Sequence, residues 1–90
     1  MNEYGIAAFR SRQQVMKFED ALRREGLYVR IVSTPRDVAI GCGLSVQFAL
    51  RDIRAVQNVL MRIRPTNLIG LYAVTQQEGR SKLTVISKHG

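Results

Sequence analysis

The residue with the clearest chemical potential in this chain is Cys42, its only cysteine. Gly41 and Gly43 flank it, so the thiol can be approached closely and the backbone can adopt conformations that other residues avoid. In its ionised form a thiol is the nucleophile of sulfur exchange. The alternative interpretation is that Cys42 is a small, buried and unreactive hydrophobic residue.

Other kinds of catalytic site are hard to assemble from the remaining residues. The only histidine, His89, lies next to the C-terminal residue, so neither a zinc site nor a Cys–His dyad is predicted. The Gly41–Gly43 triplet has the spacing of neither a phosphate loop nor a dinucleotide fingerprint. Glu19 and Asp20 stand beside arginines in a helical pattern and are interpreted as solubilising residues. We therefore expect no metal, no resident cofactor and no enzyme with its own general base.

The composition is that of one small domain with a basic surface. Hydrophobic residues make up 46% of the 90 residues, which is ordinary for a globular chain. The formal net charge of +7, from eleven arginines and three lysines against seven acidic residues, favours anionic partners, although solubility alone would also explain it. No apolar run approaches the roughly 18 residues of a membrane span, and Met1–Gly5 do not resemble a signal peptide. A cytoplasmic protein without membrane association is expected.

Six segments have the residue pattern of regular secondary structure. Strand patterns occur over residues 3–9, 27–33, 44–50 and 68–75, and helical periodicity occurs over 12–25 and 52–64. The first and fourth strands are apolar on both faces, whereas the second and third alternate and should bury one face only.

Both predicted helices have recognisable end signals. Ser11 followed by Gln14 matches a capping box, and Gly26 is the expected stop of the first helix. Asp52 should cap the second helix, and Pro65 should end it.

The order of these elements predicts an α+β fold. Strand–helix–strand–strand–helix–strand is the order of the ferredoxin-like βαββαβ plait, an antiparallel sheet with both helices on one face. We expect residues 1–76 to form this domain and residues 77–90 to be either a C-terminal hairpin strand or a flexible basic tail. The turn residues Glu78 and Gly79, followed by the strand-like segment 82–87, favour the hairpin, which would cover the apolar fourth strand.

This topology places the loop that carries Cys42 at the end of the sheet where the first helix begins. Arg10, Arg12, Arg36 and Arg64 are expected at the same end. Nearby cations and a helix N-terminus both stabilise a thiolate, so we expect the pKa of Cys42 to lie below the ordinary value of a cysteine thiol.

The segment around Cys42 also resembles a known family. The residues that carry the likeness are Pro35 and Arg36, then, after five further residues, Cys42, Gly43 and Leu44, and finally Phe48. They resemble the hallmark of the selenium/sulfur carrier protein-like family, which consists of short bacterial proteins formerly grouped as a domain of unknown function. The similarity extends from Tyr4 to the fourth strand and leaves out the residues after about Gln77.

The resemblance implies that Cys42 accepts sulfur or selenium and holds it as a persulfide or selenosulfide. Pro35, Arg36, Gly41 and Gly43 would then form the loop that presents it. A sulfur or selenium donor such as a cysteine desulfurase-type enzyme and an acceptor protein are implied as partners. No cofactor is implied beyond covalent sulfane sulfur or selenium on Cys42. Such a chain is a carrier rather than an enzyme in its own right.

Two other functions are compatible with the sequence. One is nucleic-acid binding, which the third strand disfavours because Ser45, Gln47 and Ala49 on its open face offer no aromatic ring for base stacking. The other is a non-catalytic basic interaction module with an inert Cys42, which would bind acidic proteins or assemble as a homo-oligomer through the open sheet face.

Overall fold

The computed structural model describes residues 2–35 and 43–88. The elements follow one another as β1 (Asn2–Phe9), α1 (Arg12–Arg24), β2 (Val29–Ser33), β3 (Leu44–Phe48), α2 (Ile53–Ile63), β4 (Leu68–Gln77) and β5 (Arg80–Lys88). The predicted alternation of strands and helices is confirmed, and the strand-like C-terminal segment adds a fifth strand.

All five strands belong to one antiparallel sheet with the order β2-β3-β1-β4-β5. β1 lies at the centre and pairs with β3 on one side and β4 on the other. β5 pairs along nearly the whole of β4, so the apolar fourth strand is not the edge of the sheet. This pairing explains how β4 can be apolar on both faces.

Both helices pack on one face of the sheet, which we call the helix face. The core on this face joins alternate strand residues to the apolar positions of both helices; its largest members are Phe9, Phe18, Phe48, Leu22 and Leu71. The rings of Phe9 and Phe18 are 5.3 Å apart and tilted by 52°, a favourable edge-to-face type of contact between β1 and α1. Within the described part of the chain, no helix has the length and apolar character needed to cross a membrane.

The opposite face, which we call the open face, carries no helix but still has a small apolar cluster. Ile6 and Ala8 of β1 and Tyr72 and Val74 of β4 are buried there, and Leu83 of β5 packs against them. β1 therefore buries side chains on both faces, as its continuous apolar sequence predicts.

Gly5 is required by the packing of Phe48. These residues are directly opposed in the β1–β3 pairing, and the Phe48 ring occupies the space over the glycine. A Cβ atom on Gly5 would lie 2.3 Å from Cε2 of Phe48. The large aromatic ring can be fully buried on this strand because its partner has no side chain.

The end signals of α1 were predicted correctly at one end only. Gly26 has a φ of 82°, and the N–H groups of Gly26 and Leu27 donate to the carbonyls of Arg23 and Leu22 at 3.0 and 3.1 Å. This is a Schellman motif, and it needs a residue that tolerates left-handed backbone. At the other end Ser11 has the extended backbone of an N-cap, but its side chain makes no capping hydrogen bond, so the predicted capping box does not form.

The start of α2 also differs from the prediction. β3 ends at Phe48 rather than at Leu50, and a 3₁₀ turn over Leu50–Asp52 leads into the helix. Asp52 has φ −94° and ψ 11°, which is not the extended conformation that turns a side chain back towards the first helical amides, and it makes no capping hydrogen bond. α2 ends as predicted before Pro65, with Arg64 in a left-handed conformation.

We predict that Gly5→Ala destabilises the protein, although alanine is normally preferred to glycine in a strand by roughly 0.5–1 kcal/mol. The methyl group has to displace the buried Phe48 ring, and overpacking of this kind costs about 1–3 kcal/mol in the free energy of unfolding. Urea denaturation measures the loss.

The control is the same substitution in a Phe48→Leu background. Leucine is smaller and can leave room for the methyl group, so the additional cost of Gly5→Ala should shrink there. An equal cost in both backgrounds would show that the Phe48 ring is not the reason for the glycine.

Candidate functional site

The base of the Cys42 loop is closed by a backbone hydrogen bond. The β2–β3 pairing continues up to Ser33 opposite Leu44, and one residue further the N–H of Thr34 donates to the carbonyl of Gly43 at 3.0 Å. The chain therefore leaves the sheet and returns to it at one point. Among the predicted loop residues, Pro35 and Gly43 belong to this base, whereas Arg36, Gly41 and Cys42 lie outside the described residues.

Gly43 is packed tightly against two other parts of the site. A Cβ atom here would lie 3.1 Å from Oγ1 of Thr34 and 3.8 Å from the carbonyl oxygen of Phe9. The first contact is closer than side-chain atoms normally tolerate, so a larger residue would push Thr34 aside. The second places the loop base beside the last residue of β1, immediately before the turn into α1.

A buried pair of hydroxyl groups holds the two sides of the loop base together. Oγ1 of Thr34 and Oγ of Ser45 are 2.7 Å apart, and both residues are buried. Because each hydroxyl is the other's partner, neither carries the cost of a buried polar group without a hydrogen bond. Ser45 lies on the open face opposite Ala8, but it is fully buried rather than exposed as the strand alternation indicated.

The positions of the two hydroxyl residues in the sequence are themselves a signal for this pair. Thr34 follows the last residue of β2, and Ser45 is the second residue of β3, so the two hydroxyl residues stand nearly symmetrically about the loop. In the β2–β3 register Ser45 is opposite Val32 and Thr34 is opposite Gly43, so the two hydroxyl residues are diagonal neighbours on one face, within reach of each other. Hydroxyl residues at both feet of a strand-to-strand loop therefore predict a hydrogen bond that closes it.

Arg10 and Arg12 lie at the same end of the sheet, on the turn from β1 to α1. The N–H of Arg10 donates to the carbonyl of Asn67 at 2.8 Å, which fixes this turn against the segment that leads into β4. Both arginine side chains are exposed. The amides of the first turn of α1 lie at this end too, since α1 begins two residues after Arg10. In the described residues, the loop base at Gly43, the Arg10–Arg12 turn and the start of α1 lie at the same end of the sheet. That Arg10 and Arg12 stabilise the Cys42 thiolate stays a prediction.

The carboxylates of α1 pair with arginines other than Arg10 and Arg12. Arg23 and Arg24 form i,i+4 ion pairs with Glu19 and Asp20 at 3.1 and 3.0 Å, in agreement with the solubilising role predicted for these carboxylates. Within residues 2–35 and 43–88, no carboxylate lies within 4.0 Å of the guanidinium of Arg10 or Arg12.

The last turn of α2 and the residues that follow it lie beside two parts of α1. Arg62 in its last turn forms a 3.3 Å ion pair with Glu25, the C-cap of α1, which belongs to the opposite end of that helix. Arg64 follows and shares a surface depression with Gln14 and Lys17. α2 therefore packs beside the middle and end of α1, and the segment 64–67 carries the chain back to the Arg10 turn.

The described site is thus the base of the segment that contains Cys42, at the end of an α+β sheet where the Arg10–Arg12 turn and the start of α1 also lie. The sequence matches the family model described as "Putative Se/S carrier protein-like" over residues 4–68. The chain belongs to this family, which confirms the resemblance deduced from the motif around Cys42. No curated protein and no solved structure matches the sequence.

We predict that Thr34→Val lowers the free energy of unfolding by about 1–3 kcal/mol, because valine keeps the shape of threonine but leaves the buried Ser45 hydroxyl without a partner. Adding Ser45→Ala should recover part of the loss, since both polar groups are then gone. Thr84→Val, on the exposed surface of β5, is the matched control and should change stability by less than about 0.5 kcal/mol. Equal effects of Thr34→Val and Thr84→Val would contradict a structural role for the hydroxyl pair.

Proposed function

We propose that this protein carries a sulfane sulfur or selenium atom on Cys42 and passes it to a partner by thiol exchange. The observation that carries the proposal is the family match, which spans Cys42 and both feet of its loop. The position of the loop base beside the Arg10–Arg12 turn supports it, because a carrier cysteine needs stabilisation of its anionic form.

The loading step needs no group outside the carrier and its donor. The Cys42 thiolate attacks the outer sulfur of a persulfide on a donor protein, a new S–S bond forms, and the donor's S–S bond breaks. The donor leaves as a thiolate, so no net oxidation or reduction occurs. A selenosulfide donor would load selenium in the same way, and an acceptor thiol would unload the carrier by a second exchange.

The residues around Cys42 have separate parts in this proposal. Gly41 and Gly43 leave room for a partner's sulfur to approach the thiolate, and Pro35 stiffens the start of the loop. Arg36 with Arg10 and Arg12 stabilises the anionic thiolate or persulfide. The same positive charge attracts an acidic donor or acceptor surface, since opposite charges speed encounter.

The fold suits this function as a platform rather than as a catalytic cavity. We propose that residues 1–76 are the carrier-type domain, a ferredoxin-like plait, and that residues 77–90 supply an appended strand. The strand order β2-β3-β1-β4, with both helices on one face, supports that description. A reducing cytoplasm, in which the thiol is kept available for loading, is the setting we propose.

We predict that Cys42 is alkylated in the native protein, with a pH midpoint below that of an ordinary cysteine thiol. After incubation with a sulfane donor, mass spectrometry should show the addition of one sulfur atom, and a reductant should remove it. The Cys42→Ser variant is the control and should show neither reaction. A thiol that reacts only after unfolding would overturn the proposal and leave an interaction module with an inert cysteine.

We also predict that the double substitution Arg10→Gln and Arg12→Gln raises the pKa of the Cys42 thiol. Alkylation at pH 7 should slow by up to about tenfold, because a pKa increase of one unit lowers the thiolate fraction about tenfold. Salt should diminish the difference, since both guanidinium groups are exposed. The double substitution Arg80→Gln and Lys82→Gln, at the hairpin on the opposite end of the sheet, removes the same number of charges and should leave the rate unchanged.

A further inference from the structure

A second concave site lies at the opposite end of the sheet from the Cys42 loop. It is a surface cavity of about 560 Å³, and the lining residues that matter here are Tyr4, Tyr28, Arg30, Gln47 and Ala49. Tyr28 stands six positions before Thr34 in the chain, with β2 between them, which corresponds to roughly 20 Å at 3.3 Å per residue. The cavity is therefore distinct from the proposed carrier site.

Two tyrosines form the walls of this cavity. Tyr4 lies on the open face, where it pairs with Val74 and packs on the apolar cluster of that face. Tyr28 stands just before β2, and strand alternation places it on the same face as Arg30. Between them runs the end of β3, where Ala49 continues the strand with extended backbone and only a methyl side chain.

The spacing of these strands leaves a slot of useful width. β2 and β1 both flank β3, so Tyr28 and Tyr4 stand two strand spacings apart, about 10 Å. A planar ring that stacks on another needs about 3.5 Å on each side. One flat ring therefore fits between the two tyrosines above Ala49.

Tyr28 contributes almost nothing to the fold itself. Its relative exposure is 94%, whereas the other large exposed apolar side chains of the described residues range from 39% to 73%. A ring that buries so little area gains little from packing and is available to a ligand on both faces. This exposure favours a recognition role over a structural one.

The polar groups of the slot indicate which flat ligand it suits. Arg30 is exposed, and within residues 2–35 and 43–88 no carboxylate lies within 4.0 Å of its guanidinium. Gln47 is directly opposite Arg30 in the β2–β3 register and offers an amide that both donates and accepts.

We propose that this slot binds a nucleotide. The base stacks between Tyr4 and Tyr28, the phosphate pairs with Arg30, and Gln47 binds the polar edge of the base. Because an amide both donates and accepts, Gln47 can bind the ring nitrogen and the amino group of adenine. The ligand is either a free mononucleotide or an unpaired nucleotide of single-stranded RNA, because both present the same ring, edge and phosphate.

The sequence argument against base stacking applies to the third strand alone. β3 presents no aromatic ring on the open face, and the residue after it, Ala49, has only a methyl side chain at the floor of the slot. The rings come from β1 and from the segment before β2, which the strand order brings to either side of β3. The lack of aromatic rings on β3 made nucleic acid an unlikely partner, but β3 forms only the floor of the slot, and its neighbours supply the rings.

The test is an NMR titration of the full chain with AMP, and with ribose 5-phosphate and adenosine as ligands that lack the base or the phosphate. AMP should shift the amide signals of Tyr4, Arg30 and Gln47 and bind more tightly than either fragment. Signals at Thr34 and Gly43 should not move. A repeat with a short single-stranded oligoadenylate distinguishes the sources: much tighter binding of the oligomer at the same residues identifies RNA, and equal binding identifies the free nucleotide.

Single substitutions distinguish the contribution of base stacking from that of the pairing between Arg30 and the phosphate. Tyr28→Ala should weaken AMP binding about tenfold, whereas Tyr28→Phe should retain it, because a phenyl ring still stacks. Arg30→Gln should weaken AMP binding but leave adenosine binding unchanged. Arg54→Gln on α2 removes the same charge at an exposed residue that does not line the slot, so it is the control and should have no effect.

Three results would overturn the proposal. These are no shift at millimolar AMP, unchanged affinity of Tyr28→Ala, or binding of ribose 5-phosphate as tight as that of AMP. None of them bears on Cys42, since the slot does not depend on the carrier function.

Discussion

The structure depends on one strand that is buried on both faces and paired on both sides. β1 has no exposed edge, and its two faces contribute to both apolar clusters of the protein. Its side chains are small where the neighbours are large, as with Gly5 beneath the Phe48 ring and Ala7 and Ala8 in the middle. A strand in this position fixes the register of β3 and β4, and therefore the positions at which their connecting loops leave the sheet.

Because of this register, the two ends of the sheet carry different sets of residues. At one end Phe9 of β1 meets Gly43, and the chain turns through Arg10 into α1. The other end holds the two tyrosines on either side of β3. A shift of β1 by one residue would turn both sets to the wrong face, because side chains alternate along a strand.

The sequence predicts most of the fold because the decisive signals are local. Apolar periodicity is visible within about ten residues, and Gly26 ends α1 by a conformation that its own backbone allows. Prediction was wrong where a neighbour decides the outcome. Asp52 lacks a capping bond because the 3₁₀ turn before it sets its backbone, and Ser45 is buried because Thr34 supplies a partner.

The candidate site also combines features that the sequence predicts with features that depend on tertiary structure. The sequence identifies Cys42 as chemically distinctive and places Arg10 and Arg12 near its loop, since connectivity alone determines which ends of the elements meet. It does not give the hydrogen bond that closes the loop base, because that bond depends on the β2–β3 register. The pairing of Arg62 with Glu25 was equally hidden, since it depends on how the two helices lie across each other.

The closure at Thr34 and Gly43 also bears on how such a protein can evolve. The sheet is complete below this point, held by a backbone hydrogen bond and a hydroxyl pair that do not involve residues 36–42. Doubling the length of a flexible loop costs only about 0.6 kcal/mol in closure entropy. Residues can therefore be inserted, deleted or exchanged between Thr34 and Gly43 with little penalty to folding, so that selection can change the length and chemistry of the segment that contains Cys42 while the scaffold stays the same.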